Sequence, residues 1–111
     1  MKLLTKAIEA KLRKNSAAAG KADIDPVPVL KLFCPWGAAT WLLTELDEDG
    51  RLFGLCDLGM GEPELGYVAL EELKGLKGPL GLGIERDLWF KGDEPLSVYT
   101  AAAATEGRIA A

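Results

Sequence analysis

At 111 residues the chain is long enough for one domain with a real core and too short for two comfortable ones. A composition of 49% hydrophobic and 27% charged residues is globular, which excludes the disordered and fibrous classes. The net charge of −4 divides unevenly: residues 1–31 hold seven Lys and Arg against three acids, and residues 32–111 hold six against fourteen. An acidic body repels a phosphate backbone, so only the lead-in is fit to approach one.

That lead-in, Lys2 to Lys14, sets Leu4, Ile8 and Leu12 at a spacing of four, with Leu3 and Ala7 beside them. This is one stripe of an amphipathic helix, and Lys2, Lys6, Glu9 and Arg13 fall away from it. Asn15-Ser16 is read as its end, and residues 17–22 as a connector around Gly20. Such a helix can bind nucleic acid through Lys2, Lys6, Lys11, Arg13 and Lys14, but its apolar stripe more often docks on the parent sheet, and nucleic acid is not the expected partner. The stretch lacks the apolar core of a secretory signal, and no apolar run approaches the roughly 20 residues of a membrane span. We therefore expect a cytoplasmic protein, away from membranes, whose Cys34 and Cys56 remain reduced thiols.

Pro26 and Pro28 force an extended entry to a first strand over Val29–Phe33, stopped by Cys34-Pro35-Trp36-Gly37. Trp41–Leu46 and Arg51–Cys56 then read as a hairpin about Asp47-Glu48-Asp49-Gly50. A four-residue loop would set Leu46 against Arg51, Thr44 against Phe53 and Leu42 against Leu55. One face then carries Leu42, Leu46, Phe53 and Leu55, and the other Trp41, Leu43, Leu52 and Cys56. Both faces are apolar, which calls for a covering layer on each. The Asp57–Glu64 loop leads to a strand over Leu65–Leu70, a single helical turn at Glu71–Lys74, and a glycine-rich meander from Gly75 to Gly83. Alternation over Ile84–Lys91 predicts a further strand, and Pro95 followed by four alanines predicts a C-terminal helix. The expected fold is one α+β domain over 1–111, with a basic helix and connector in 1–22 and a core in 25–99. Its sheet is mostly antiparallel, of four or five strands, flanked by the N-terminal amphipathic helix and the C-terminal helix.

Several blocks resemble a known family: Asp25–Phe33, Ala39–Glu45, Phe53–Gly59, Pro63–Val68 and Ile84–Leu88. Together they are similar to the bacterial family catalogued as domain of unknown function 2958, from the first helix to Tyr99. The resemblance implies a small protein, often encoded on plasmids, integrative elements and phages. It implies no activity, catalytic residue or ligand. Glu62 departs from the apolar or aromatic residue expected before Pro63, and residues 100–111 have no counterpart in the resemblance.

The chain holds no histidine, which removes the commonest general base and metal ligand, and two cysteines without close spacing do not make a zinc site. Gly59-Met-Gly61 lacks the third glycine of a dinucleotide fingerprint and reads as a turn. Neither a metal nor a cofactor is expected. Carboxylates are the abundant reactive groups: Asp57, Glu62 and Glu64 share a loop, while Glu85 and Asp87 flank Arg86 on the strand expected after Gly83. If that loop folds over the strand, Asp57, Glu64, Glu85 and Asp87 become candidates for Mg²⁺-type or acid–base chemistry. The blander reading, a solvated rim paired in part with Arg86, has precedence. Trp36 and Trp89, near element ends, are the better candidates for an exposed contact surface, with Arg86 between them in the chain. The leading expectation is a non-catalytic module that binds another protein.

Overall fold

The computed structural model describes residues 2–111. Helix α1 (Lys6–Ala19) starts where the Thr5 hydroxyl accepts the Ile8 N–H at 3.1 Å. It runs past Asn15 and Ser16, because the alanines beyond them are the best helix formers, and stops at Gly20. Of the connector expected over residues 17–22, residues 17–19 are thus the helix's last turn and residues 20–22 lie beyond it.

Five strands come next: β1 (Leu30–Phe33), β2 (Thr40–Leu46), β3 (Arg51–Asp57), β4 (Glu64–Ala69) and β5 (Glu85–Arg86). They form one antiparallel sheet in the order β4-β3-β2-β1-β5. A short helix, α2 (Leu70–Gly75), continues directly from β4, and α3 (Leu96–Glu106) comes last. The architecture is α+β.

The β2–β3 turn closes more tightly than a four-residue loop. The Asp47 N–H reaches the Arg51 carbonyl at 3.0 Å, and Gly50 takes the left-handed conformation at φ 78°. The Asp47 carboxylate accepts the N–H groups of Asp49 and Arg51, both at 2.9 Å, so its own side chain builds the turn. One extra residue is then taken up at Thr44. Leu42 faces Leu55, as the alternation predicts, but beyond Thr44 the partners become Glu45–Phe53 and Leu46–Leu52. This β-bulge turns Leu46 to the opposite face from the one expected. Leu46 accordingly packs with Leu12, Leu30, Leu43, Leu52 and Leu73 beneath α1 and α2. The other face carries Leu42 and Leu55 against Leu96, Ala103 and Ile109. Both faces are covered, and each fully buried leucine contributes roughly 1.5–3 kcal/mol.

The start of α3 is capped from far away in the chain. No side chain within its own first turn does so, but the Asp25 carboxylate accepts the Ser97 N–H at 2.9 Å and also bonds the Ser97 hydroxyl. The strand expected over Ile84–Lys91 is confined to Glu85–Arg86. The Asp87 carboxylate accepts the Trp89 N–H at 2.9 Å, and this bond bends the chain out of the sheet. Among the described residues, no helix is long and apolar enough to cross a membrane.

Candidate functional site

Sheet order decides which carboxylates can meet. Glu64 begins β4, at one edge, while Glu85 lies in β5, at the other. Four strand spacings separate those edges, roughly 19 Å at 4.8 Å each. The patch in which Glu64 joins Glu85 and Asp87 therefore does not form.

Asp57 and Asp87 do line one cavity, of about 650 Å³, together with Lys31, Cys34 and Arg108. Each is already engaged. Asp57 is 3% exposed, and its two oxygens accept the N–H groups of Gly59 at 2.8 Å and Ile109 at 2.9 Å. That carboxylate ties the loop after β3 to the segment after α3. Asp87 holds the Trp89 N–H and pairs with Lys31 at 3.4 Å. The Trp89 N–H, with the Lys31 ammonium adding to it, keeps the Asp87 carboxyl below the usual carboxylate range against some desolvation. Among the described residues, no group of three His, Cys, Asp or Glu side chains is placed to hold a metal ion. Cys34 and Cys56 are both free thiols, and burial pushes the Cys56 thiol up.

The three candidate contact residues separate sharply. The Trp36 ring lies flat against Gly78, where an added Cβ would come within 2.2 Å of it, so this indole is half-buried packing. Arg86 donates to the backbone oxygens of Lys2 at 2.8 Å and Leu3 at 3.1 Å, which fastens the start of the chain to β5. Trp89 is different: it is 94% exposed, next to Leu88 at 61%. The turn that carries both is fixed through Asp87 and leads back to the sheet, where Phe90 packs against Tyr99 with ring centroids 6.4 Å apart. Beside it lies a notch of about 260 Å³ lined by Ile8, Val29, Arg86, Leu88 and Phe90.

The basic residues of α1 do not act as one row. Arg13 pairs with Glu9 at 2.9 Å and donates to the Asp47 carbonyl, so it braces the hairpin turn. Lys11 and Lys14 are exposed neighbours one turn apart, and Lys6 lines a separate cavity with Lys2, Lys74 and Lys77. That grouping draws on residues 2–6 and 74–77, and no spacing within the chain announces it.

A family model described as "Protein of unknown function (DUF2958)" matches residues 3–110, so the match takes in the alanine-rich α3 and the segment beyond it. No curated protein and no solved structure matches the chain.

Proposed function

The chain belongs to the DUF2958 family of proteins of unknown function, and on that premise we propose that it is a non-catalytic module that binds another protein through the Leu88–Trp89 turn. The observation that carries this reading is the 94% exposure of Trp89 on a turn held by a hydrogen bond to its own N–H. Burial of an exposed indole by a partner is favourable, and a rigid presenting loop lowers the entropy lost on binding. Truncation of a tryptophan at the centre of an interface typically removes about 2 kcal/mol or more. The hydrogen bonds of Asp57 and Asp87 support the non-catalytic half, since each carboxylate already has a part in holding the fold. We count the protein among the accessory factors of bacterial mobile elements, the setting that its sequence resemblance implies.

The test is affinity capture with the immobilised wild type and Trp89→Ala, with melting curves as a fold control. The exposed side chain makes the substitution silent for stability, and the proposal requires a partner that the wild type retains and the variant loses. Recovery of the same proteins in the same amounts by both would overturn it.

A further inference from the structure

The cavity between the start of α1, α2 and the loop leading into β5 is about 880 Å³, and it joins a cluster of lysines to an apolar floor. Lys2, Lys6, Lys74 and Lys77 stand around it, in a chain whose net charge is −4. Two acids line it as well, Glu9 and Glu85, but Glu9 is already paired with Arg13 at 2.9 Å. Lys74 pairs with Glu71 at 3.4 Å but stays half-exposed, with further N–H donors left for a second carboxylate. Below the lysines the floor is apolar: Leu3, Leu73 and Ile84 are buried there, and Leu82 sits on the rim, 40% exposed.

We propose that this cavity takes an acidic segment of a partner protein, with an apolar side chain seated on the Leu3–Leu73–Ile84 floor and carboxylates paired to the lysines around it. Charge complementarity selects the sign of the occupant, and the apolar floor selects an anchor that a phosphate backbone does not carry. Nucleic acid fits the site less well. Among the described residues no aromatic side chain lines it to stack a base, and single-strand binding relies on such platforms. The inference rests on the reading of the chain as a protein-binding module but uses residues separate from Trp89. Failure of partner capture by the indole and failure of peptide binding here are therefore distinct results.

The experiment titrates the isotope-labelled full chain with a fluorescein-labelled, Glu-rich peptide containing leucine, with its Lys-rich counterpart, and with single-stranded oligothymidine. The Glu-rich peptide is expected to shift amides of residues 2–9, 70–77 and 82–85, and its binding to weaken with salt. The double variant Lys6→Glu, Lys77→Glu should weaken it by about tenfold or more. Leu82→Asp should weaken it as well, because the anchor loses its rim. Lys21→Glu serves as the charge control: it lies beyond the far end of α1, roughly 20 Å along the helix axis from Lys6 at 1.5 Å per residue, and should change little. An equal loss in Lys21→Glu, an unaffected double variant or indifference to Leu82→Asp would each overturn the proposal. So would tighter binding of oligothymidine to the same amides.

Discussion

Asp57 and Ile109, 52 residues apart, are joined by a buried hydrogen bond of 2.9 Å from the isoleucine N–H to the carboxylate. The other oxygen of the same carboxylate holds Gly59, so one side chain locks the loop after β3 and the segment after α3 together. Ile109 is thereby seated on Leu42 and Leu55. Asp57→Ala should leave the buried Ile109 N–H without a partner, at about 1–3 kcal/mol, while water takes over the N–H of exposed Gly59. The melting temperature should fall by several degrees. Asp57→Asn retains one acceptor oxygen and should fall between wild type and Ala. Limited proteolysis of Asp57→Ala is expected to begin after α3, and an unchanged melting curve would count against this locking role.

A second long-range bond depends on the bulge. Where β2 loses step with β3, the Thr44 carbonyl accepts the Asn15 side-chain amide at 2.9 Å, and the Thr44 hydroxyl turns to the Phe53 carbonyl at 3.3 Å. Thr44 is fully buried, so neither polar group has water as an alternative. Asn15→Ala should cost about 1–3 kcal/mol, the penalty of a buried acceptor left unsatisfied. The check is the urea midpoint, which should move without a change in slope.

The same bulge marks the limit of what the residues disclose in order. The two apolar faces, the antiparallel pairing and the flanking helices are legible in alternation and composition, and Leu42–Leu55 pair as their positions suggest. The shift beyond Thr44 is not, because its cause is a three-residue turn combined with an amide arriving from α1. The end of β5 is within reach of the residues, since an Asp two positions before an N–H is a common turn former, but the alternation of Ile84 to Phe90 masks it. Trp36 and Trp89 look alike as aromatics near element ends. Only the approach of Gly78, 42 residues along from Trp36, buries one and leaves the other in water. The lysine-lined cavity likewise exists only once residues 2–6 meet residues 74–77.

Gly54 and Gly66 face each other across β3 and β4 yet should respond in opposite ways to alanine. A Cβ on Gly54 would lie 2.0 Å from the Leu42 carbonyl oxygen and 2.8 Å from the Leu43 Cα, so backbone has to move. A Cβ on Gly66 meets nothing within 4 Å. Gly54→Ala is expected to cost more than about 4 kcal/mol and to yield little folded protein. Gly66→Ala should change stability by less than about 1 kcal/mol, and in the stabilising direction if the loss of unfolded-chain entropy dominates. Comparable midpoints for the two variants would refute the close approach at Leu42.

Glu45 and Asp47 sit at the same end of the hairpin and should give stability opposite dependences on pH. Backbone N–H bonding from Arg51 is the largest influence on the Asp47 carboxyl and holds it below its ordinary 3.8. Asp25, held down by Ser97, and Asp87, held down first by Trp89, show the same pattern. A carboxyl lowered by folding adds stability above its unfolded value and loses that contribution as pH falls through the folded one. Burial raises the Glu45 carboxyl above its ordinary 4.5, and the negative charge of Asp47 raises it further. For this group the sign reverses: its favourable contribution is present below the unfolded value and is lost as pH rises through the folded one. Glu45→Gln should therefore be more stable than wild type at neutral pH, with the gain fading as pH falls through the raised folded value and essentially gone below 4.5. Asp47→Asn should be less stable than wild type at neutral pH, with the deficit shrinking below 3.8. Urea midpoints measured from neutral to acid pH separate the two. A Glu45→Gln gain that grew on acidification would contradict the burial of that carboxyl, whatever the behaviour of Asp47.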